Sequence, residues 1–297
     1  MTRVFVVGNA VSDVTLNVRR APRPGESVLA QSIARAPGGK GLNQAVAAQR
    51  SGAKVVFVSA IGTDAAGAEI ENALLREVFD DLRLIKLSCS TDVSILTVTA
   101  DGENSIITTI DCTQASSAER LTASLYGVRA GDYVLMQGNL SLASTNAVAD
   151  LARERGAKVL INAAPWHWDS TDVLEKCEGV IANEGEILDI AKGTDLQHSA
   201  AWLQAKGPAW VIVTLGANGC LLSTQEGISS FAAKPVKASD TSGAGDVFSG
   251  VLVGALARGA SLNDAIHAGQ RAAALTVERT GTFSAIPSVE EMRDIVR

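Results

Sequence analysis

The chain has 297 residues, 46% of them hydrophobic and 4% aromatic, with 27 glycines and a formal net charge of -6. The apolar fraction and modest charge exclude a disordered chain, the scattered cysteines exclude a disulfide scaffold, and the acidic balance argues against a nucleic-acid or anionic-membrane surface. At roughly 100–200 residues per domain, the length predicts either two modules or one large α/β domain with an appendage.

The first apolar run, residues 3–8, reads as a strand, because Asp13 arrives before any small-residue cleavage site; a cytoplasmic protein is therefore expected. Residues 15–19 and 27–35 read as two further strands with no helix between them. Helix 41–51 follows, with Leu42, Ala45, Val46 and Gln49 at three- and four-residue steps, and then a strand at 54–61. Residues 94–99 and 105–110 form a second helix-free pair, joined by the turn signal Asp101-Gly102-Glu103-Asn104. Short runs rich in β-branched residues recur at 132–137, 158–162, 179–182 and 210–215, nearly all separated by helix-like segments. Helix 245–258 carries Val247, Val251, Leu252, Ala255 and Leu256 on its spacing; Gly259 sits where a C-cap would end it, and Ser261 can N-cap a helix over 262–278. Alternation of this kind predicts an α/β, doubly wound, mainly parallel sheet, with a small separate sheet assembled from the two helix-free stretches.

Cys89, Cys112, Cys177 and Cys220 contain no C-x-x-C pair and read as reduced thiols used as small hydrophobes. The longest strongly apolar stretch, 247–257, falls well short of the ~20 residues of a membrane span. Trp166-His167-Trp168 reads as a packing or surface cluster, and His198 and His267 have no metal-ligand spacing.

No G-x-x-x-x-G-K-[ST], H-E-x-x-H or G-x-S-x-G occurs, and the first strand runs into Gly8-Asn9-Ala10-Val11-Ser12-Asp13 rather than G-x-G-x-x-G. The informative segment is Asp240-Thr241-Ser242-Gly243-Ala244-Gly245-Asp246. Small residues at a helix start let unpaired amides approach an anion such as a phosphoryl group. Asp246 in the first turn either complements the helix dipole or, beside an anion, accepts a proton as a general base. A second glycine-rich helix start, Gly38-Gly39-Lys40-Gly41-Leu42-Asn43-Gln44-Ala45, is either a flexible turn or a set of amides for sugar hydroxyls, with Lys40 adding positive charge near a phosphate.

These segments together resemble the ribokinase-like carbohydrate kinase family, also called PfkB, which phosphorylates sugars and nucleosides with ATP. One signature is similar from Gly38 through Asn43 and Ala45 to Gly52 and Gly62, and another over 240–250, with Val251 where Ala is frequent. Asn162-Ala163-Ala164-Pro165, Asn183-Glu184-Gly185-Glu186 and Thr214-Leu215-Gly216 with Gly219 resemble the remaining blocks, in the family's order. The resemblance implies a doubly wound domain carrying a β-sheet lid, with lid strands inserted at about 14–36 and 93–110.

It also implies roles. Asp246 would be the catalytic base, and the amides of Gly243, Ala244 and Gly245 the anion hole. Asp13, Gly38, Gly39, Lys40, Asn43 and Asn139 would bind the sugar. Asn162, Asn183, Thr214, Gly216, Gly219 and Gln270 would bind ATP, and Glu186 would organise Mg²⁺. Asp240, Ser242, Thr276, Arg279 and Gly281 would hold a monovalent cation, usually K⁺. Two positions depart from ribokinase-type members: Val11 replaces an Asn, and Asn139 an acidic residue. The implied acceptor is the primary hydroxyl of a sugar, first a pentose; a deoxy-sugar, a ketohexose, a nucleoside or a non-catalytic sugar-binding relative are the alternatives. The apolar content of 94–110 gives a homodimer through the lid a physical motive.

Overall fold

A computed structural model describes residues 1–99 and 104–296; the turn expected at Asp101-Gly102 lies outside the described residues. Thirteen strands are described: β1 (Arg3–Val7), β2 (Val11–Asn17), β3 (Ser32–Gly38), β4 (Lys54–Gly62), β5 (Asp81–Leu87), β6 (Val93–Val98), β7 (Asn104–Thr108), β8 (Tyr133–Gln137), β9 (Lys158–Asn162), β10 (Gly179–Asn183), β11 (Trp210–Thr214), β12 (Cys220–Thr224) and β13 (Gly227–Phe231). Nine of them form one sheet in the order β13-β12-β11-β10-β9-β8-β1-β4-β5, and four form a small sheet in the order β3-β2-β6-β7.

Side chains alternate across a strand, so a strand buried on both faces must be apolar throughout. In β1, Val4 and Val6 join one core, while Phe5 and Val7 join the other. The first core packs against α1 (Lys40–Arg50), α8 (Ala244–Ala257) and α9 (Leu262–Val277). The opposite core takes Val148, Ala149 and Ala152 of α5 (Leu142–Glu154), Ile187 and Ile190 of α6 (Glu184–Ala191), and Ala200 and Leu203 of α7 (Leu196–Gln204). The shorter helices α2 (Ala65–Leu74), α4 (Ala118–Ala123) and α10 (Val289–Ile295) complete the two outer layers, and Cys112 of α3 (Asp111–Gln114) packs with Ala60 and Leu87 in a small third cluster. Each large aliphatic side chain withdrawn from water contributes roughly 1.5–3 kcal/mol, which is why the valine-rich strands sit in the middle layer.

Pairing is parallel from β5 through β11 and turns antiparallel at β12 and β13, an edge hairpin that the strand pattern did not predict. The small sheet also begins earlier than expected. β2 starts at Val11, and its partner strand spans Ser32–Gly38, so 27–31 are not strand. Pro22, Pro24 and Gly25, with φ of 80° at the glycine, break the run, and a two-pronged Arg20–Glu26 ion pair closes the loop.

Strand order reverses between β1 and β8. In an open doubly wound sheet, the crevice beyond the carboxyl ends at such a reversal is where ligands bind. Gly8 follows β1 there, and Gln137, Asn162, Asn183 and Thr214 are the last residues of β8, β9, β10 and β11.

Candidate active site

A cavity of about 210 Å³ opens at these carboxyl ends, lined by Lys40, Asn162, Asn183, Glu186, Thr214, Gly243, Gly245 and Asp246 among others. Eight of the positions singled out in the sequence therefore meet in one place, although they come from 40 to 246 along the chain.

The floor is the N-terminus of α8. Gly243 is its N-cap with φ of 76°, a left-handed conformation that a residue with a Cβ adopts only at a cost. A Cβ placed on Gly245 would meet open space, so the cavity reaches the helix backbone there. The amides of the first turn have no carbonyl one turn earlier and carry the positive end of the helix dipole. Ala244 differs from expectation, because its amide leans on the Thr241 carbonyl at 3.4 Å, a long internal bond.

Asp246 is buried in the first turn. Gln44 Nε2 donates to its Oδ1 at 2.9 Å, and Asn43 Nδ2 lies 3.4 Å from Oδ2. Asn43 is itself buried, with its Oδ1 unpartnered among the described residues; Asn139 Oδ1 and Asn162 Oδ1 are orphaned in the same way. Leaving buried acceptors unpaired costs about 1–3 kcal/mol each, so the orphaned oxygens of Asn43, beside Asp246, and of Asn162, on the cavity wall, point to a polar ligand that completes the site.

Asp13, on β2, is the second buried carboxylate. Its Oδ2 accepts from Thr282 Oγ1 at 2.8 Å, and a Cβ on Gly38 would fall 2.1 Å from that carboxyl group. Burial first, with the nearby charge of Asp246 adding, raises the Asp13 carboxyl to about 6 against the opposing bonds from Thr282 and Ser94. Gly39, with φ of 101°, caps α1. The amides of Gly41 and Leu42 are not free for a ligand, contrary to the expectation for this turn, because the Asn9 side chain and carbonyl accept them.

Asn183 and Glu186 form a capping box at the start of α6: each side chain accepts the other's backbone amide at 2.8 Å. Burial raises the Glu186 carboxyl above its ordinary range, opposed by the Asn183 amide and by Lys40. Thr214 Oγ1 reaches the Ala182 carbonyl at 3.4 Å, and Asn162 Nδ2 reaches Ser249 Oγ at 3.3 Å.

Other expected positions lie outside the cavity lining. Gly216 opens a short 3₁₀ turn with φ of 55°, and Gly219 ends it at φ of 90°. A Cβ on Gly219 would stand 1.9 Å from the Phe231 carbonyl, so this glycine permits close packing on β13. Gln270 spends its amide on the same Phe231 carbonyl, at 2.9 Å. Asp240 accepts the amides of Ser242 and Gly281, each at 2.9 Å, and so ties the expected cation-binding segments together; Arg279 donates its amide to Thr276. Asn139 accepts Gln114 Nε2 on its carbonyl. Trp168 is buried and donates to Leu140, a packing role. Sequence reasoning missed Gln44 as a partner of Asp246, Gln137 behind it, Asn9 and Thr282; these contacts span 93, 202 and 269 residues for the side-chain pairs involved, beyond any local pattern.

A carboxylate set against the open amides of a helix start, with a further carboxylate and orphaned amides alongside, is equipment for moving a phosphoryl group to a hydroxyl. The profile of the pfkB family carbohydrate kinases matches residues 1–289, and the chain belongs to that family. It is similar to a ribokinase of Haemophilus influenzae, 34% identical over 96% of this chain and 95% of that one, and to a ribokinase of Staphylococcus aureus, 29% identical over 99% of each. Among solved structures it resembles a ribokinase from Thermotoga maritima at a TM-score of 0.91 and 28% identity, over 100% of this chain and 99% of that one. The protein is an ATP-dependent carbohydrate kinase with the ribokinase-like fold.

Proposed function

We propose that this kinase transfers the γ-phosphoryl group of ATP to the primary hydroxyl of ribose or a close pentose, with Asp246 as the proton acceptor. The observation that carries the reading is the position of Asp246: a buried carboxylate one residue past Gly245, which lines the cavity with Gly243 at the helix start. A negative group beside an anion site is unfavourable unless it takes up a proton as the nucleophile attacks. Asp13, with Asn43 and Asn139, holds the sugar hydroxyls, and Gly38 and Gly39 let the chain pass close to them. The first-turn amides of α8 balance charge on the transferring group, and Lys40 adds a positive charge from the far wall. Asn162, Asn183 and Thr214 line the nucleotide side. Gly216, Gly219 and Gln270 support that side by packing.

Glu186 fits the requirements of a Mg²⁺ site: a half-buried carboxylate, with one oxygen on a backbone amide and the other open to the cavity, gains from an oxygen-seeking cation. When bound, Mg²⁺ supplies positive charge to the phosphate oxygens. The lacing of Asp240 to Ser242 and Gly281 supports a K⁺ site built with the Thr276–Arg279 turn, because the donor set there is all oxygen. The small sheet acts as the lid, and its aliphatic outer face pairs with a second copy. Among the described residues no helix is long and apolar enough to cross a membrane; we place the enzyme in the cytoplasm, with its ATP supply.

The test is an ADP-release assay over ribose, deoxyribose, fructose and nucleosides with and without Mg²⁺. Turnover highest with ribose and abolished by chelation supports the reading. Turnover confined to nucleosides or hexoses overturns the acceptor, and binding without ADP release overturns the reaction.

A further inference from the structure

Behind Asp246 lies a pair of side chains that the reaction as described does not use. Gln44 on α1 and Gln137 at the end of β8 are both fully buried. Gln137 Nε2 donates to Gln44 Oε1 at 2.8 Å, and Gln44 Nε2 donates to Asp246 Oδ1 at 2.9 Å. We propose that these two amides are a relay that fixes the orientation of the Asp246 carboxylate, making Gln44 and Gln137 positioning residues for proton acceptance. The inference rests on Asp246 being the base.

The direction of the relay follows from hydrogen-bond polarity. A glutamine amide has one accepting and one donating end. With Gln137 donating into its oxygen, Gln44 must present its NH₂ to Asp246. A flipped Gln44 would set its carbonyl against a carboxylate and its NH₂ against the Gln137 NH₂, two repulsive contacts between side chains buried from solvent. Gln137 lies against Gly8, where an added Cβ would stand 1.8 Å from Gln137 Oε1; only a glycine leaves that amide its place, and this oxygen has no partner among the described residues.

The consequence reaches the reacting atom. With Oδ1 occupied by Gln44 and Oδ2 facing only the long 3.4 Å contact to Asn43, Oδ2 is the oxygen available to the sugar hydroxyl. The charged groups around Asp246 are Asp13 from β2 and Glu186 from α6, both of like sign, and Lys40 of α1, which lines the same cavity.

The test compares Gln44→Met, Gln137→Met and the double variant of the full chain with ribose and ATP. Gln44→Met is expected to lower kcat roughly 10- to 100-fold, as for a lost bond to a charged group, with KM for ATP unchanged and the acid limb of kcat/KM moved to higher pH. Gln137→Met should cost less in the same direction, and the double variant no more than Gln44→Met, because Gln137 acts through Gln44. A wild-type pH profile in Gln44→Met, or additive losses in the double, overturns the relay. Should Gln44→Met fail to fold through the orphaned Gln137 amide, the double variant removes that orphan and carries the same readout: a wild-type kcat and acid limb there overturn the relay. Asp246→Asn separates the two claims. Near-normal turnover in it removes the base itself, whereas a dead Asp246→Asn beside an unaffected Gln44→Met removes the relay alone.

Discussion

At the scale of single residues, the site is governed by carboxylates held in partly dry surroundings. Asp13 is the clearest case, raised to about 6 chiefly by burial. Its folded-state value exceeds the unfolded one, so between about pH 4 and 6 the folded chain binds more protons than the unfolded, and stability falls as pH rises through that window. At 1.36 kcal/mol per unit the full effect is roughly 3 kcal/mol. Asp13→Asn should therefore flatten that stretch of the stability curve and be more stable than wild type above pH 6, as followed by urea unfolding across pH. The same ionisation governs binding: sugar hydroxyls donate to a carboxylate, so KM for the sugar should rise as pH drops below about 6 while KM for ATP holds. A pH-independent sugar KM would take Asp13 out of the sugar site. The helix-start wall of the cavity was readable in the sequence because Asp246 and the glycines before it stand together in one short segment. Gln44, Gln137 and Thr282 were not, since what they touch is decided by the packing of distant elements.

Among the elements, the contact of α1 with α8 sets the distance between Gln44 and Asp246. Gly250 lies at that contact, where a Cβ would come 2.3 Å from the Gln44 carbonyl and 2.8 Å from Ala47 Cβ. The carbonyl is helix backbone and cannot give way cheaply. Gly250→Ala should cost about 1–3 kcal/mol of stability, read as a lowered Tm, and reduce kcat by moving α1 off Asp246; unchanged Tm and kcat would mean that the two helices are not so closely fixed. The central strands were legible because burial on both faces demands continuous aliphatic runs. In the edge hairpin β12–β13, β13 was not, because it is largely exposed and its side chains carry little apolar signal. The start of β2 was missed for a related reason: Ser12 and Asp13 are polar, and their burial comes from neighbours that the strand pattern does not contain.

For the molecule as a whole, the small sheet leaves Ile33, Ile95 and Ile107 exposed at 58%, 43% and 74%. Strand register sets Ile95 opposite Ile107 and beside Val14, and the Ile33 position two residues along the same face, so these side chains form one aliphatic surface turned away from Asp13. Sedimentation should give a dimer, and Ile95→Lys with Ile107→Lys a monomer; a monomeric wild type would contradict the pairing. The net charge of -6 takes on a definite meaning at this scale. A phosphate-handling site need not be basic when a helix terminus, one lysine and a bound cation supply the positive potential. The central claim is that Asp246 accepts the proton as ribose takes the γ-phosphoryl group. Its most direct test is ³¹P NMR of ribose with ATP, wild type beside Asp246→Asn, with sugar and ATP binding measured in both. The account predicts ribose phosphorylated at its primary hydroxyl by the wild type, and turnover lower by roughly 10²–10⁴ in the variant with binding retained. Product formation at near-normal rate by Asp246→Asn would contradict it.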